Sequence, residues 1–426
     1  MTLIPTAIPQ PTPRRATAGV LTGPTRPTAA VLTGPTRPAG GTLTGTPVRF
    51  QVDHFVHQLA ALQPTVAPAS PALPAPTGLA SLFVRQPKAK EREEALAGGH
   101  RIETAFAAAA KRTDDREAQA QAMLQSPAAM MAEARALAAL SPADRAAYDR
   151  LAAATPSPCA RLALRELLLA GKLTGSAPSA GGASLLTELD RLASAELAPG
   201  IDKQALLADV LIEVAAPQTI NQGRRGTCAA TAAQLMLAQD RPAELVRLLA
   251  GLASPAGQVT LADGQTLLRE PGTERDDKSG RSGSSRLLQA AFMEFANGES
   301  VDYHNGYGRN GRDGHSNGRH GLTVRESDRL AEGLSGGTAE HVSAQELDAR
   351  PALAERVLDV VRGGQPVAVG LAWGKPDAQG KRSGHKVVVT AVIDGRVYFT
   401  HGHGKVESMT IAEFEQRVKD ANFPPR

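Results

Sequence analysis

Two β-rich runs, residues 387–393 and 396–400, flank the dipeptide Asp394-Gly395, and this arrangement constrains the fold more than any other part of the chain. Asp-Gly between such runs predicts a two-residue hairpin, because both turn residues must take positive φ. Another strand signal, 365–373, precedes it. Upstream the patterning is helical. Ser141-Pro142 reads as an N-cap followed by proline at the first helical position. Further helices are expected at 159–171, 183–196, from Pro242 to Ala250 and at 284–295, with a tight hairpin at 258–268 around Asp263-Gly264. Strands that gather late and do not alternate with helices predict an α+β fold. Aromatic residues make up only 3% of the chain, so its cores must rest on Leu, Val, Ile and Ala.

Composition divides the 426 residues into three parts. Residues 1–80 hold fourteen of the thirty prolines and an eleven-residue repeat, Val20-Leu-Thr-Gly-Pro-Thr-Arg-Pro and Val31-Leu-Thr-Gly-Pro-Thr-Arg-Pro, with a decayed copy from Thr42. Pro and Gly at this density cannot form a continuous hydrogen-bonded element, so a disordered tail is expected. Within it, 50–62 carries one apolar helical face (Val52, Phe55, Val56, Leu59, Leu62). Residues 81–200 read as a helical region, and 201–426 as the unit that carries chemistry. The net charge of +4 hides an asymmetry: the first fifty residues hold five arginines and no acid, which leaves the body close to neutral. A neutral body argues against nucleic-acid binding. No stretch reaches eighteen apolar residues, so no membrane span is expected. The N-terminus lacks the pattern of a conventional signal peptide. Two cysteines make no disulfide framework. Cys159 sits in an amphipathic helix signal and reads as core filler.

Cys228 stands differently. It lies in Asn221-Gln-Gly-Arg-Arg-Gly-Thr-Cys228-Ala-Ala-Thr-Ala-Ala-Gln234, where a glycine-rich turn gives way at once to helix formers. A cysteine at a helix start meets free N–H groups and the positive end of the helix dipole, which favour thiolate. The amide of Gln222, six residues upstream, is a candidate donor to the oxyanion that forms when a thiolate attacks a carbonyl. Asn305 to Gly321, with six glycines and three arginines, reads as a solvated loop; its histidines, His315 and His320, lack a metal-site framework.

The 221–234 segment resembles the papain-like cysteine peptidases, whose nucleophile motif reads Gln-Gly-x-x-Gly-x-Cys. Gln222, Gly223, Gly226 and Cys228 fill it. Ala229 replaces the aromatic residue that usually follows, which is closer to divergent bacterial branches such as the leader peptidases of peptide exporters. Gly364 and Pro366 keep part of the family's strand opening, and Gly384-His385 stands where its histidine opens a hairpin. The resemblance implies a helical lobe carrying Cys228 and an antiparallel β lobe carrying His385 as general base. Where the family places Asn or Asp to orient that base, this chain has His401, sixteen residues after His385. Two readings follow: a dyad oriented by His401 or a backbone carbonyl, or a degenerate site that binds without cleaving. A metal reading of His385, His401 and His403 has Glu407 as its sequence-near carboxylate, but the spacing fits no usual zinc pattern; neither metal nor cofactor is expected.

The expected function is a cysteine hydrolase cleaving a peptide or isopeptide bond through a thioester. Catalytic residues would be Cys228, His385, Gln222 and His401. Glutamine deamidation or transglutamination would use the same pair with a different acceptor, and a non-enzymatic binding module is the remaining alternative. The expected partner is a protein or peptide substrate, with secretion machinery or a chaperone on the N-terminal tail. The setting is a bacterial cytoplasm or export by a route that needs no signal peptide, in the manner of an effector.

Overall fold

The computed structural model describes residues 78–79, 113–298, 301–305, 308–311, 321–337, 340–344, 347–380 and 382–423. Almost all of the proline-rich segment, the 50–62 helical face, the 88–112 part of the helical region, and His315 and His320 lie outside the described residues. The chain divides into two units, Met1–Val56 and His57–Arg426, and every described residue belongs to the second.

Among the described residues from 113 on, seven helices come first: α1 (Thr113–Leu124), α2 (Pro127–Ala138), α3 (Pro142–Ala154), α4 (Pro158–Leu169), the single turn α5 (Lys172–Gly175), α6 (Leu185–Ser194) and α7 (Lys203–Ala215). Their starts are written in the sequence. Ser141, Ser157, Ser184 and Asp202 each accept a backbone N–H three residues on, and Pro occupies the first turn of α2, α3 and α4. Next come α8 (Cys228–Asp240), α9 (Pro242–Ala253), the hairpin β1 (Gln258–Thr260) and β2 (Thr266–Leu268), and α10 (Gly283–Asn297). After β3 (Val301–His304), β4 (Gly308–Gly311) and α11 (Val324–Ser335), the chain forms its main sheet from β5 (Glu340–Ser343), β6 (Val367–Trp373), β7 (Ser383–Ile393), β8 (Arg396–His401), β9 (Lys405–Thr410) and β10 (Val418–Phe423). Helices α12 (Arg350–Arg362) and α13 (Ile411–Arg417) are inserted among these strands.

The fold is therefore α+β, with a six-stranded antiparallel sheet in the order β5-β10-β6-β7-β8-β9. Its two faces bury different cores. Val388 of β7 joins a large, Leu- and Ala-rich core that begins at Leu79 and runs through α3, α4, α6 to α10. Val387 and Val389, one residue to either side, join a second core with Phe399, Phe414 and the inner face of α12. The period-2 alternation of the strand thus seals two layers at once. The first core is continuous across the helices before and after residue 200. Leu79 is fully buried, and its N–H donates to Glu166 of α4 at 2.6 Å.

The Asp394-Gly395 turn takes the form expected: both residues have positive φ (48° and 72°), and Ile393 pairs with Arg396. Strands β5, β9 and β10 were not expected. The polar run Val418-Lys-Asp-Ala-Asn-Phe423 of β10 alternates too weakly to read as a strand, yet it pairs on both sides, with β5 and β6.

Candidate active site

Cys228 opens α8, which packs across β7. Thr227, at the N-cap, does not cap the helix; its hydroxyl donates instead to Gln289 Oε1 at 2.9 Å. The first N–H groups of the helix are thereby left to the sulfur, and those of Cys228 and Ala229 both act on it. The Lys386 N–H on β7 does the same, which sets the sulfur beside the His385–Lys386 peptide. Cys228 and His385 line one cleft, with Gly384, Leu322, Gly370 and Lys419 among its walls.

The thiolate expected at this helix start meets a stronger opposing effect. Burial pushes the Cys228 thiol up, and the three N–H groups and the nearby Lys386 ammonium only partly offset it. His385 is 8% exposed, and its pKa is pushed down to about 3 by burial first, then by the neighbouring His401 and His403, against the pull of Glu407. It is a neutral imidazole at neutral pH.

The loop before Cys228 is fixed from two sides. Gly223 has a φ of 59°, and a Cβ there would lie 2.2 Å from the Ser279 carbonyl oxygen, so glycine is needed for both backbone form and close approach. Arg224 and Arg225 tie the loop to 277–279: the Arg224 N–H donates to Ser279 O at 3.1 Å, and Arg225 pairs with Asp277 at 3.3 Å. Burial works against the Asp277 carboxylate, but the Ser279 hydroxyl and the Arg281 guanidinium outweigh it and hold its pKa well below the usual range. On the other side, Asn221 bridges His403, and the Gln222 N–H donates to Gly402 O at 2.6 Å. The side chain of Gln222 lies over Gly402, where a Cβ would come within 2.3 Å of Oε1. Its Nε2 donates to Arg225 O at 2.8 Å. Gln222 is thus part of the junction between cysteine loop and histidine hairpin, and it is not among the cleft's walls.

Behind His385 lies a cluster on the face of the sheet that carries Leu371, Val387 and Phe399. The rings of His385 and His401 meet edge-on at 5.5 Å, those of His385 and His403 stack at 5.7 Å, and those of His401 and His403 meet edge-on at 5.1 Å. Trp373 packs against His385 at 5.1 Å and His401 at 5.6 Å. His401 Nε2 lies 3.1 Å from Glu407 Oε1 on β9. His385 Nε2 and both ring nitrogens of His401 are buried with no hydrogen-bond partner among the described residues; the 3.1 Å approach of His401 Nε2 to Glu407 lacks hydrogen-bond geometry. One ring nitrogen from each of the three histidines lies within 4.8 Å of the others.

The four expected site residues lie around one end of β7 and β8, and Cys228 and His385 both border the cleft; the His385 ring, however, shares the sheet face of Val387, Phe399 and Trp373, whereas α8 packs on the Val388 face, and His385 Nε2 has no hydrogen-bond partner among the described residues. Glu407, noted in the sequence only as the carboxylate near the three histidines, is brought beside His401 by strand pairing. It sits opposite Phe399 across the β8–β9 pair, so its side chain shares the face of His401. The signal for it was the Gly402–Gly404 turn, which folds Lys405–Thr410 back along β8. Also unforeseen is the polar chain behind α8, in which Gln289 Nε2 donates to Gln234 Oε1 (2.9 Å) and Gln234 Nε2 donates to Glu213 Oε2 (2.9 Å).

Compared with protein-family models, with curated proteins and with solved structures, the chain matches none. Among the described residues no helix is long and apolar enough to cross a membrane.

Proposed function

We propose that this chain is a papain-like cysteine hydrolase acting on a peptide or isopeptide bond. The observation that carries the reading is the shared cleft: a cysteine at the first turn of α8 and a histidine at the start of a facing strand, in the chain order of that family. In the proposed reaction the His385 ring, which rests on the Trp373 face of the sheet, turns toward the cleft and takes the Cys228 proton as sulfur attacks the carbonyl carbon. The Cys228 N–H stabilises the oxyanion, while Gln222, off the cleft and bonded to Arg225 O, holds the cysteine loop against the histidine hairpin. His385 then protonates the leaving amine, and water attacks the thioester with His385 again as base. Where the family has Asn or Asp, this site has the ring of His401, edge-on to His385 at 5.5 Å without a hydrogen bond between them, and the Glu407 carboxylate 3.1 Å beyond it. A carboxylate one ring removed would steady the imidazolium that forms in turnover. Residues 1–80 are read as a tail for a chaperone or export machinery.

The second reading, a binding module that no longer cleaves, is favoured by the burial that keeps thiol and imidazole both neutral. A thiol-reactive, substrate-like probe separates the two. With a working site it labels wild type, not Cys228→Ala, and labelling rises with pH as the thiol ionises. Cys159, buried and pushed up to about 12, stays unlabelled in the folded protein. Equal, slow labelling of both cysteines would remove the catalytic reading.

A further inference from the structure

The three-histidine cluster has the attributes of a metal seat. His385 and His401 are 8% and 2% exposed, and each holds a buried ring nitrogen with no hydrogen-bond partner, which is costly unless something binds there. The third ring, His403, is stacked on the first. Nitrogens within 4.8 Å of one another need only small ring rotations to reach the ~3.4 Å that separates two ligands, each ~2.0–2.1 Å from a tetrahedral ion. Glu407 Oε1 lies 3.1 Å from the far nitrogen of His401, placed to serve as an outer-shell carboxylate once the ring turns to align the pair. Trp373 and Phe399 close the apolar side. The wide sequence gap between His385 and His401 conceals this site, because β7 and β8 fold it into neighbouring positions on one sheet face.

We propose that His385, His401 and His403 bind one divalent transition-metal ion of the zinc class, with Glu407 as outer-shell partner. Three neutral imidazoles select zinc, cobalt, nickel or copper over magnesium and calcium, which require oxygen ligands. A fourth position is left for water. Occupancy takes His385 away from Cys228, so the bound ion switches hydrolysis off; this second part rests on the hydrolase reading above.

The test is a titration of the full chain with Co²⁺, followed by its visible ligand-field bands, and with Zn²⁺ in competition against a chromophoric chelator. One ion per chain is expected. His403→Ala and His401→Ala should each weaken binding by at least about 100-fold, since an outer-shell partner alone is worth ~10–100-fold. Glu407→Gln should weaken it less, and Cys228→Ala should bind as wild type does. Thermal melts of each variant separate ligand loss from unfolding, and His403→Gln serves if His403→Ala does not fold. Wild-type affinity in both histidine variants, loss of binding in Cys228→Ala, or no binding by wild type would each overturn the site. Zn²⁺ should inhibit probe labelling of wild type reversibly, with chelator restoring it. If the ion binds as described and no preparation turns over, the hydrolase reading fails and the metal site stands. If turnover is present and Zn²⁺ neither binds nor inhibits, the reverse holds.

Discussion

Glu407 is the residue on which the proposed chemistry most depends without touching substrate. His385 begins turnover neutral, with its pKa pushed down to about 3 by burial and by two neighbouring rings, and it must carry a positive charge midway. The nearest compensating charge is the Glu407 carboxylate, 3.1 Å from His401 Nε2. Its own pKa is lowered: burial opposes ionisation, but His401 outweighs it, so it is ionised at neutral pH. Glu407→Gln should lower kcat by about 10-fold or more, short of the ~10⁴ lost when an Asp directly on the base is neutralised. KM should change little, and Glu407→Asp should recover part of the loss. A merely structural role would move the melting temperature and leave the ratio of kcat to KM effects unchanged. An active-site titration of folded Glu407→Gln with unaltered kcat would sink the relay.

At the scale of elements, the cysteine loop is clamped between the 277–279 segment and the β8–β9 turn, and Gly223 is where the clamp is tightest. An alanine there faces a left-handed φ, worth about 1–2 kcal/mol for a non-glycine residue, and a Cβ 2.2 Å from the Ser279 carbonyl oxygen. That neighbour is backbone and cannot rotate away. Gly223→Ala should therefore lower the melting temperature and also shift Gln222 from Gly402, so that probe labelling of Cys228 falls even in the folded fraction. Wild-type melting and labelling together would mean that the clamp does not position the nucleophile. The local signals were legible here. Gln-Gly before a cysteine, helix formers after it and Asp-Gly between β-rich runs each gave the element that formed. Strand β10 was not legible, because its polar residues are stabilised by partners in other elements. Lys386 on β7 reaches over Gly370 to Asp420 at 2.5 Å and Asn422 at 2.6 Å, a set that no local pattern encodes.

At the scale of the whole molecule, a pH dependence of stability is built in behind α8. Glu213 of α7 is buried and accepts from the hydroxyls of Ser282, Ser284 and Ser285 and from Gln234. Burial, then the nearby Asp209, push its pKa up to about 7 from an ordinary 4.5, more than the serine hydroxyls pull it down. A carboxyl raised in the folded state contributes stability that is complete below about pH 4.5 and is lost as pH rises through 7. The loss amounts to ~3 kcal/mol at one unit of pKa per ~1.4 kcal/mol. Denaturant melts of wild type between pH 5 and pH 8 should show this decline, and Glu213→Gln, which removes the ionisation, should make it shallower, leaving the part due to Asp209, Asp240 and Glu270, whose carboxyls burial also raises. Parallel slopes in both proteins would show that Glu213 is already ionised when folded. What the sequence determined by itself is local: helix starts, the tight turns, the α+β class and the candidate roles of Cys228 and His385. Each depends on a few consecutive residues whose backbone preferences and spacing carry the information. What only the tertiary structure decided is long-range: that burial outweighs the helix start in setting the Cys228 thiol, that Glu407 stands behind His401, that three histidines share one face, and that Glu213 lies under α8. Those properties depend on desolvation and on strand register, and both exist only once distant segments have packed.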